Sequence, residues 1–371
     1  MTQPGRKYSA GGGYRYGFNG KENNNEVKGS GNALDFGARE FDPRIGRWSS
    51  ADPKKGEYTG WSPYHFGFNS PITTIDPNGK ENIVVVGTQH DNTSGNKLMF
   101  VHQALRELIK YSKNEAEESR SMLLFTEGYT PKQIRRIEQQ AAKYGVSVVK
   151  VSSAEQVISY INTKNIEGGA GSGMSSPARE EDKITNIDAF SHGVVFKIEF
   201  GYKIGAGGKT NNNMGLNSVN VTDINSDAFK KEAVFTSYAC RTGLGNSNIN
   251  AFINPLESTI PKASLTQEIA DAAKITVRAY MVRSDYSITL STKIERLDYK
   301  IYSKIGPGGH DRWFNAFKKR VEAREKIEGA TFDPEGALHG VIGGSTPVGV
   351  SSAMHEYKPN AEPKRVNTTS N

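Results

Sequence analysis

Residues 184–193 read ITNIDAFSHG, and residues 233–243 read AVFTSYACRTG. Each is a short apolar run of the buried-strand kind that ends in a residue able to do chemistry and then in glycine. Ile184 to Phe190 leads into Ser191, His192 and Gly193, and Ala233 to Tyr238 leads into Ala239, Cys240, Arg241, Thr242 and Gly243. Three further runs of this kind lie upstream, at Asn82 to Gly87 (NIVVVG), Met122 to Phe125 and Val146 to Val151. Between them Val101, Leu105, Leu108 and Ile109 recur at helical spacing and predict a helix over Leu98 to Ser112. Thr130 and Pro131 open a second helix as N-cap and first-turn proline, with Gly145 closing it, and Ser153 with Gln156 opens a third. Strands are also predicted at Val194 to Phe200 and Ile275 to Val282, the latter preceded by a helix over Leu265 to Ala273. Strands that alternate with helices imply an α/β domain whose sheet is mostly parallel and flanked by helices on both faces.

At 371 residues the chain has room for two or three domains. Before residue 80, short aromatic and aliphatic runs are broken every few positions by Gly, Asn, Asp and Pro, the signature of short strands and tight turns. Tyr14, Tyr16 and Phe18 fall on one face of a period-2 element. The stretches Asp42 to Arg47 and Asp76 to Gly79 read as turns. The division expected is a β-rich segment over 1–80, an α/β domain over 81–345 and a polar, disordered tail over 346–371. Two loops, Ile166 to Lys183 and Gly205 to Asn217, flank the histidine strand.

Several function classes drop out. No stretch approaches the roughly 18 apolar residues of a spanning helix, so no membrane span is expected. The first residues lack the apolar core of a secretory signal. Lys and Arg number 47 against 40 Asp and Glu, a formal +7, but the excess is scattered rather than gathered into a stripe, which argues against a nucleic-acid partner. Gly205 to Thr210 ends like a phosphate-binding loop, yet Lys203 stands where its first glycine is needed. His90, His102, His339 and His355 lack the spaced partners of a metal site, and no cofactor is expected. With a single cysteine, Cys240 acts as a thiol or not at all.

In parallel α/β sheets reactive groups gather at the carboxyl ends of strands. His192 stands 48 residues before Cys240, enough to put the two on different strands of one sheet. A histidine there can take the thiol proton, and the N–H groups of Gly193 and Cys240 are natural donors to a developing oxyanion. Taken singly, a strand-end histidine reads as structural and a lone cysteine as a small buried hydrophobe. The pairing is what points to catalysis.

The motifs FSHG and SYACRTG resemble those of the caspase-like (clan CD) cysteine peptidases, a group that includes caspases, clostripain and CHAT-domain proteins. Val221 to Asn225 and the helix before Ile275 to Met281 resemble the CHAT pattern. The resemblance covers roughly residues 81–300. It implies a caspase-like fold, a protein substrate, Cys240 as nucleophile, His192 as base and Gly193 as oxyanion donor, with no metal or organic cofactor. Tyr238 before the alanine and the inserted Thr242 depart from the caspase form, so a preference for acidic substrates is not implied. Asp285, just past the strand at Val282, reads either as a solvated turn aspartate or, as in related peptidases with that preference, as a pocket residue for a substrate Lys or Arg. Arg179, Lys183 and Lys209 in the flanking loops are expected self-cleavage points.

The first segment carries a second resemblance. YRYGFNGKE, LDFGAREFDPRIGRWSSADP and SPYHFGFNSPITTIDPNGK are similar to the end of an RHS repeat-associated core, in which a variable toxin follows a β-shell. The junction pattern of such cores is matched by Pro71, Asp76, Pro77 and Gly79, with Lys80 where leucine is usual. This implies the C-terminal effector of an RHS-type polymorphic toxin, delivered into a target cell by a secretion system, with the RHS shell and a cognate immunity protein as partners. Two alternatives stay open. One is a nuclease toxin using His310 and Asp311 beside the basic helix Phe314 to Lys326, and the other is an inactive caspase-like binding module.

Overall fold

The computed structural model describes residues 22–36, 39–51, 62, 64, 80–90, 97–114, 118–167, 175–201, 214–246, 259–286, 297, 319, 332–337 and 339–366. The chain divides into two compact units, Met1–Pro77 and Asn78–Asn371. In the first, β1 (Glu22–Asn23), β2 (Leu34–Asp35), β3 (Glu40–Asp42) and β4 (Arg47–Trp48) form an antiparallel sheet in that order, with α1 (Asn25–Lys28) between β1 and β2. Leu34 and Phe41 are buried against Phe36 and Trp48. The β3–β4 turn is held by Asp42, whose carboxylate accepts from Arg44 Nε at 3.0 Å and Nη2 at 2.8 Å and from the Arg44 N–H at 3.1 Å. The period-2 element around Tyr14 and the turn over 76–79 lie outside the described residues.

The second unit is mixed α/β. Its strands β5 (Lys80–Val86), β6 (Ser119–Phe125), β7 (Val146–Val151), β8 (Lys183–Phe190), β12 (Phe229–Ser237) and β13 (Thr276–Ala279) are parallel. The helices are α2 (Met99–Asn114), α3 (Pro131–Lys143), α4 (Ala154–Thr163), α5 (Pro177–Glu181) and α6 (Leu265–Ala273). Alternate residues of the apolar runs serve opposite faces, which is why the runs are continuous rather than alternating. Ile83 and Val85 pack with Val157, Ile161 and Ile269 on one side, and Val84 and Val86 with Phe100, Leu105 and Ile137 on the other. Thr130 caps α3 in a full capping box with Gln133, and Ser153 caps α4.

Three expectations need correction. The strand expected over Val194 to Phe200 is a hairpin of β9 (His192–Val194) and β10 (Lys197–Glu199), because the chain reverses at Phe196, whose φ is 66°. With β11 (Gly215–Asn217) it makes a separate three-stranded sheet. The run over Ile275 to Val282 ends as a strand at Ala279. Beyond it β14 (Ser284–Asp285) pairs with β15 (Ile342–Gly343). Most of the expected disordered tail is ordered: β16 (His355–Tyr357) pairs antiparallel with β13 and β17 (Lys364–Arg365) pairs with β16, completing an eight-stranded sheet among the described residues. Tyr357 anchors this addition, fully buried with its hydroxyl donating to Gly243 O at 2.6 Å. A three-residue strand with one buried side chain leaves no periodicity to read.

The loop before β8 is also structured at its end. Arg179, expected as an accessible cut point, is fully buried on α5. Its Nη1 donates to Glu81 Oε2 at 2.6 Å and to Asp182 O at 2.7 Å, and its Nη2 to Tyr160 O at 2.9 Å. Burial alone would raise the Glu81 carboxyl; Arg179, Lys164 and the Ser121 hydroxyl overcome it and hold it below its ordinary value. Lys183 is the first residue of β8, paired with Lys80, so neither backbone is free for a protease, while Lys209 lies outside the described residues. Removing one partner of a buried ion pair strands the other charge. Arg179→Met is therefore expected to lower stability by about 3–5 kcal/mol in urea unfolding; a loss below ~1 kcal/mol would show that the pair adds little to the fold.

Candidate active site

The chain leaves β5 toward β6 and β7, then returns to place β8 on the other side of β5 and continues to β12 and β13. The reversal between β5 and β8 makes a topological switch point, and open α/β sheets bind ligands outside the carboxyl ends of their strands at such points. Three tips meet there. Gly87, after β5, donates its N–H to Phe190 O at 2.9 Å, and a side chain on it would come within 2.6 Å of Ser191 Cβ. Gly193 lies against the turn after β12: a Cβ there would stand 2.7 Å from Ala239 Cβ, 2.7 Å from Cys240 O and 2.9 Å from Cys240 N. Tyr238 continues the ladder by donating its N–H to Ala189 O at 3.0 Å.

The cysteine turn is fixed from behind by hydroxyls. Thr242 Oγ1 and Ser237 Oγ are 2.9 Å apart, Thr242 Oγ1 donates to Ala239 O at 3.3 Å, and Tyr357 holds Gly243 O. Arg241 takes up a left-handed φ of 58°, and its N–H donates to Val282 O at 3.0 Å. Among the described residues the Cys240 N–H is left without a backbone acceptor. The half-buried sulfur receives the Ser284 N–H at 3.3 Å and lies 3.9 Å from Ser284 O.

His192 is held by residues that the sequence pattern did not single out. Its Nε2 is 2.7 Å from Gln89 Oε1, so the proton sits on Nε2 and Nδ1 is the basic nitrogen. The His90 ring stacks on it at 4.1 Å, and Phe100 meets it edge-on at 5.1 Å. Phe100 also meets the Tyr286 ring at 5.1 Å. The Tyr286 hydroxyl donates to Tyr238 O at 2.9 Å and is hydrogen-bonded by the Ser191 backbone, which ties the ends of β8 and β12 together. Gln89 and His90 follow the first buried strand of the domain, and that placement was the available signal.

His192 and Cys240 thus stand on adjacent tips, but they are not hydrogen-bonded to each other. Burial, with help from His90 and Lys97, pushes the His192 imidazole down to about 4. Burial pushes the Cys240 thiol up, opposed by the Ser284 N–H and by Arg241 and Arg283. Both groups are therefore neutral at pH 7, a base beside a thiol rather than a preformed ion pair. Asp285 sits in β14 directly after Ser284 and opposite Ile342. Asp76, Pro77, Gly79, His310 and Asp311 lie outside the described residues.

Known protein families and curated proteins give no match to this chain. Among solved structures, a short-chain dehydrogenase/reductase from Serratia marcescens BCRC 10948 aligns over 69% of this chain and 96% of its own at 10% identity, with a TM-score of 0.28. A likeness at that level carries no argument about activity.

The neutral resting state has a direct readout, because Cys240 is the sole cysteine. Alkylation by iodoacetamide follows the thiolate fraction. Its rate is expected to keep rising with pH through the ordinary thiol value of 9.0. A plateau at about pH 5–7 would reveal a thiolate–imidazolium pair and contradict the neutral state.

Proposed function

We propose that the second unit is a caspase-like cysteine endopeptidase and that the chain is the C-terminal effector of an RHS-type polymorphic toxin acting on proteins of a target cell. The observation that carries the peptidase reading is the pairing of parallel strands β8 and β12, with Gly193 packed against the backbone of Cys240. The switch point beyond the ends of β8 and β12 is where a substrate strand would lie.

The mechanism follows from the neutral pair. As a peptide carbonyl settles over Cys240, His192 Nδ1 takes the thiol proton and the sulfur attacks the carbonyl carbon. The pair closes on substrate binding, since catalytic hydrogen bonds are often long in empty sites. The Cys240 N–H, with the Gly193 N–H, receives the oxyanion. His192 then returns the proton to the leaving amine as the C–N bond breaks, and water hydrolyses the thioester to free the thiol. Gln89 orients the ring by holding Nε2–H.

The toxin half of the proposal rests on the motifs of the first segment, and it brings an immunity protein in the producer and delivery by a secretion system. The experiment is a survey of new protein termini in cells or lysate exposed to the wild type, to Cys240→Ala and to His192→Ala. Wild type is expected to generate a set of new termini, with Cys240→Ala abolishing them and His192→Ala reducing them by at least ~100-fold. Termini that persist in Cys240→Ala would overturn the peptidase reading. Toxicity lost in His310→Ala but kept in Cys240→Ala would favour the nuclease.

A further inference from the structure

The face of the sheet that lies under α2 changes character across its width. At β5 it is apolar, with Val84 and Val86 packed with Phe100 and Leu105. From β8 onward it turns polar. Asp188, Thr236 and Arg278 stand in one register row across β8, β12 and β13, and Asn186 precedes Asp188 on the same face of β8. A cavity of about 220 Å³ is left between these strands and the C-terminal half of α2. Its helix wall begins at Glu107, roughly two turns and 10 Å along α2 from Phe100, the residue that meets His192. The cavity is therefore separate from the strand tips.

Asp188 lines this cavity at only 4% exposure. Its Oδ2 accepts the Tyr111 hydroxyl at 2.5 Å, and the Thr236 hydroxyl also donates to it. Among the described residues no Lys or Arg forms an ion pair with it. The two cations of the lining are engaged elsewhere, Lys110 with Glu107 at 3.2 Å and Arg278 with Glu356 at 3.1 Å. Burial, with Glu107 nearby, pushes the Asp188 carboxyl up to about 7, and Tyr111, Lys110 and Thr236 oppose only part of that rise. Tyr238, the other titratable group of the lining, is held neutral by burial. Asn186 supplies a second acceptor. Glu118, paired with Lys80, receives Asn82 Nδ2 at 2.8 Å, so Asn82 Oδ1 receives Asn186 Nδ2 at 2.7 Å. That leaves Asn186 Oδ1 as an acceptor, about 7 Å along the strand from Asp188.

We propose that this cavity binds a small organic cation, a free primary amine or guanidine whose N–H groups go to Asp188 and Asn186. A carboxylate is rarely buried without a cation, and here only a ligand can supply one. A cavity of about 150 Å³ holds a benzene, so this one takes roughly nine non-hydrogen atoms. The site does not rest on the peptidase reading.

Its test is isothermal titration calorimetry of the full chain with butylamine, putrescine and agmatine, and with butanol as the neutral counterpart of butylamine. At pH 8 the amines are expected to bind at least ~10-fold more tightly than butanol, the worth of a charge-assisted hydrogen bond. The amines stay cationic between pH 6 and pH 8 while Asp188 ionises, so their affinity should fall about tenfold at pH 6. Asp188→Asn keeps the shape and removes the charge, whereas Val234→Phe fills the cavity from β12 and leaves Asp188 intact. Each is expected to weaken amine binding at least ~10-fold while unfolding as cooperatively as the wild type. Should Asp188→Asn fail to fold, Val234→Phe still decides. Amine binding that survives both variants, butanol bound as tightly as butylamine, or no amine bound with a Kd below about 10 mM would overturn the site.

Discussion

Gly193 and the Ala239 to Cys240 turn approach so closely that a methyl group at position 193 would overlap Ala239 Cβ and the Cys240 backbone N and O. Only a residue without Cβ lets the tips of β8 and β12 come together. The rest of the site depends on that approach. It puts His192 and Cys240 on one edge, and the Tyr286 hydroxyl, bound to both Ser191 and Tyr238, holds the two ends in register. Behind the cysteine, the hydroxyls of Thr242, Ser237 and Tyr357 fix the turn. The final strands therefore belong to the site: β16 sends Tyr357 to the carbonyl of Gly243, three residues past the sulfur.

The electrostatics fit a site whose two reactive groups are buried enough to rest neutral. Burial keeps His192 neutral down to about pH 4 and keeps the thiol protonated, so neither charge is stored in the empty site. At the opposite end of β5 the buried Glu81–Arg179 ion pair fastens the segment that leads into the histidine strand.

Much of this was readable in the sequence. Val146–Val151 and Leu265–Ala273 stand in the structure with the bounds that apolar runs and caps give them. Strands buried on both faces leave continuous apolar runs, and a change to polar residues marks where each one ends. That made the tips after Phe190 and Tyr238 visible. What escaped are features made by contacts distant in sequence. Gln89 and His90 look like any polar loop until the switch point brings β5 beside β8. Arg179 reads as solvated because charge usually is, and only Glu81 at the start of a buried strand draws it inside. Tyr357 reads as tail because its partners, β13 and Gly243, lie far upstream.

Adjacent tips that act as nucleophile and base should close around a peptide carbonyl. Crystals of the chain soaked with a panel of peptide aldehydes ending in Asp, Lys, Arg or Leu would trap such a pair. A thiohemiacetal on Cys240 is expected, its oxygen facing the Cys240 N–H, with His192 Nδ1 within hydrogen-bond reach of the adduct. A panel left unreacted at saturating concentration, or an adduct from which the His192 ring is turned away, would contradict this pairing.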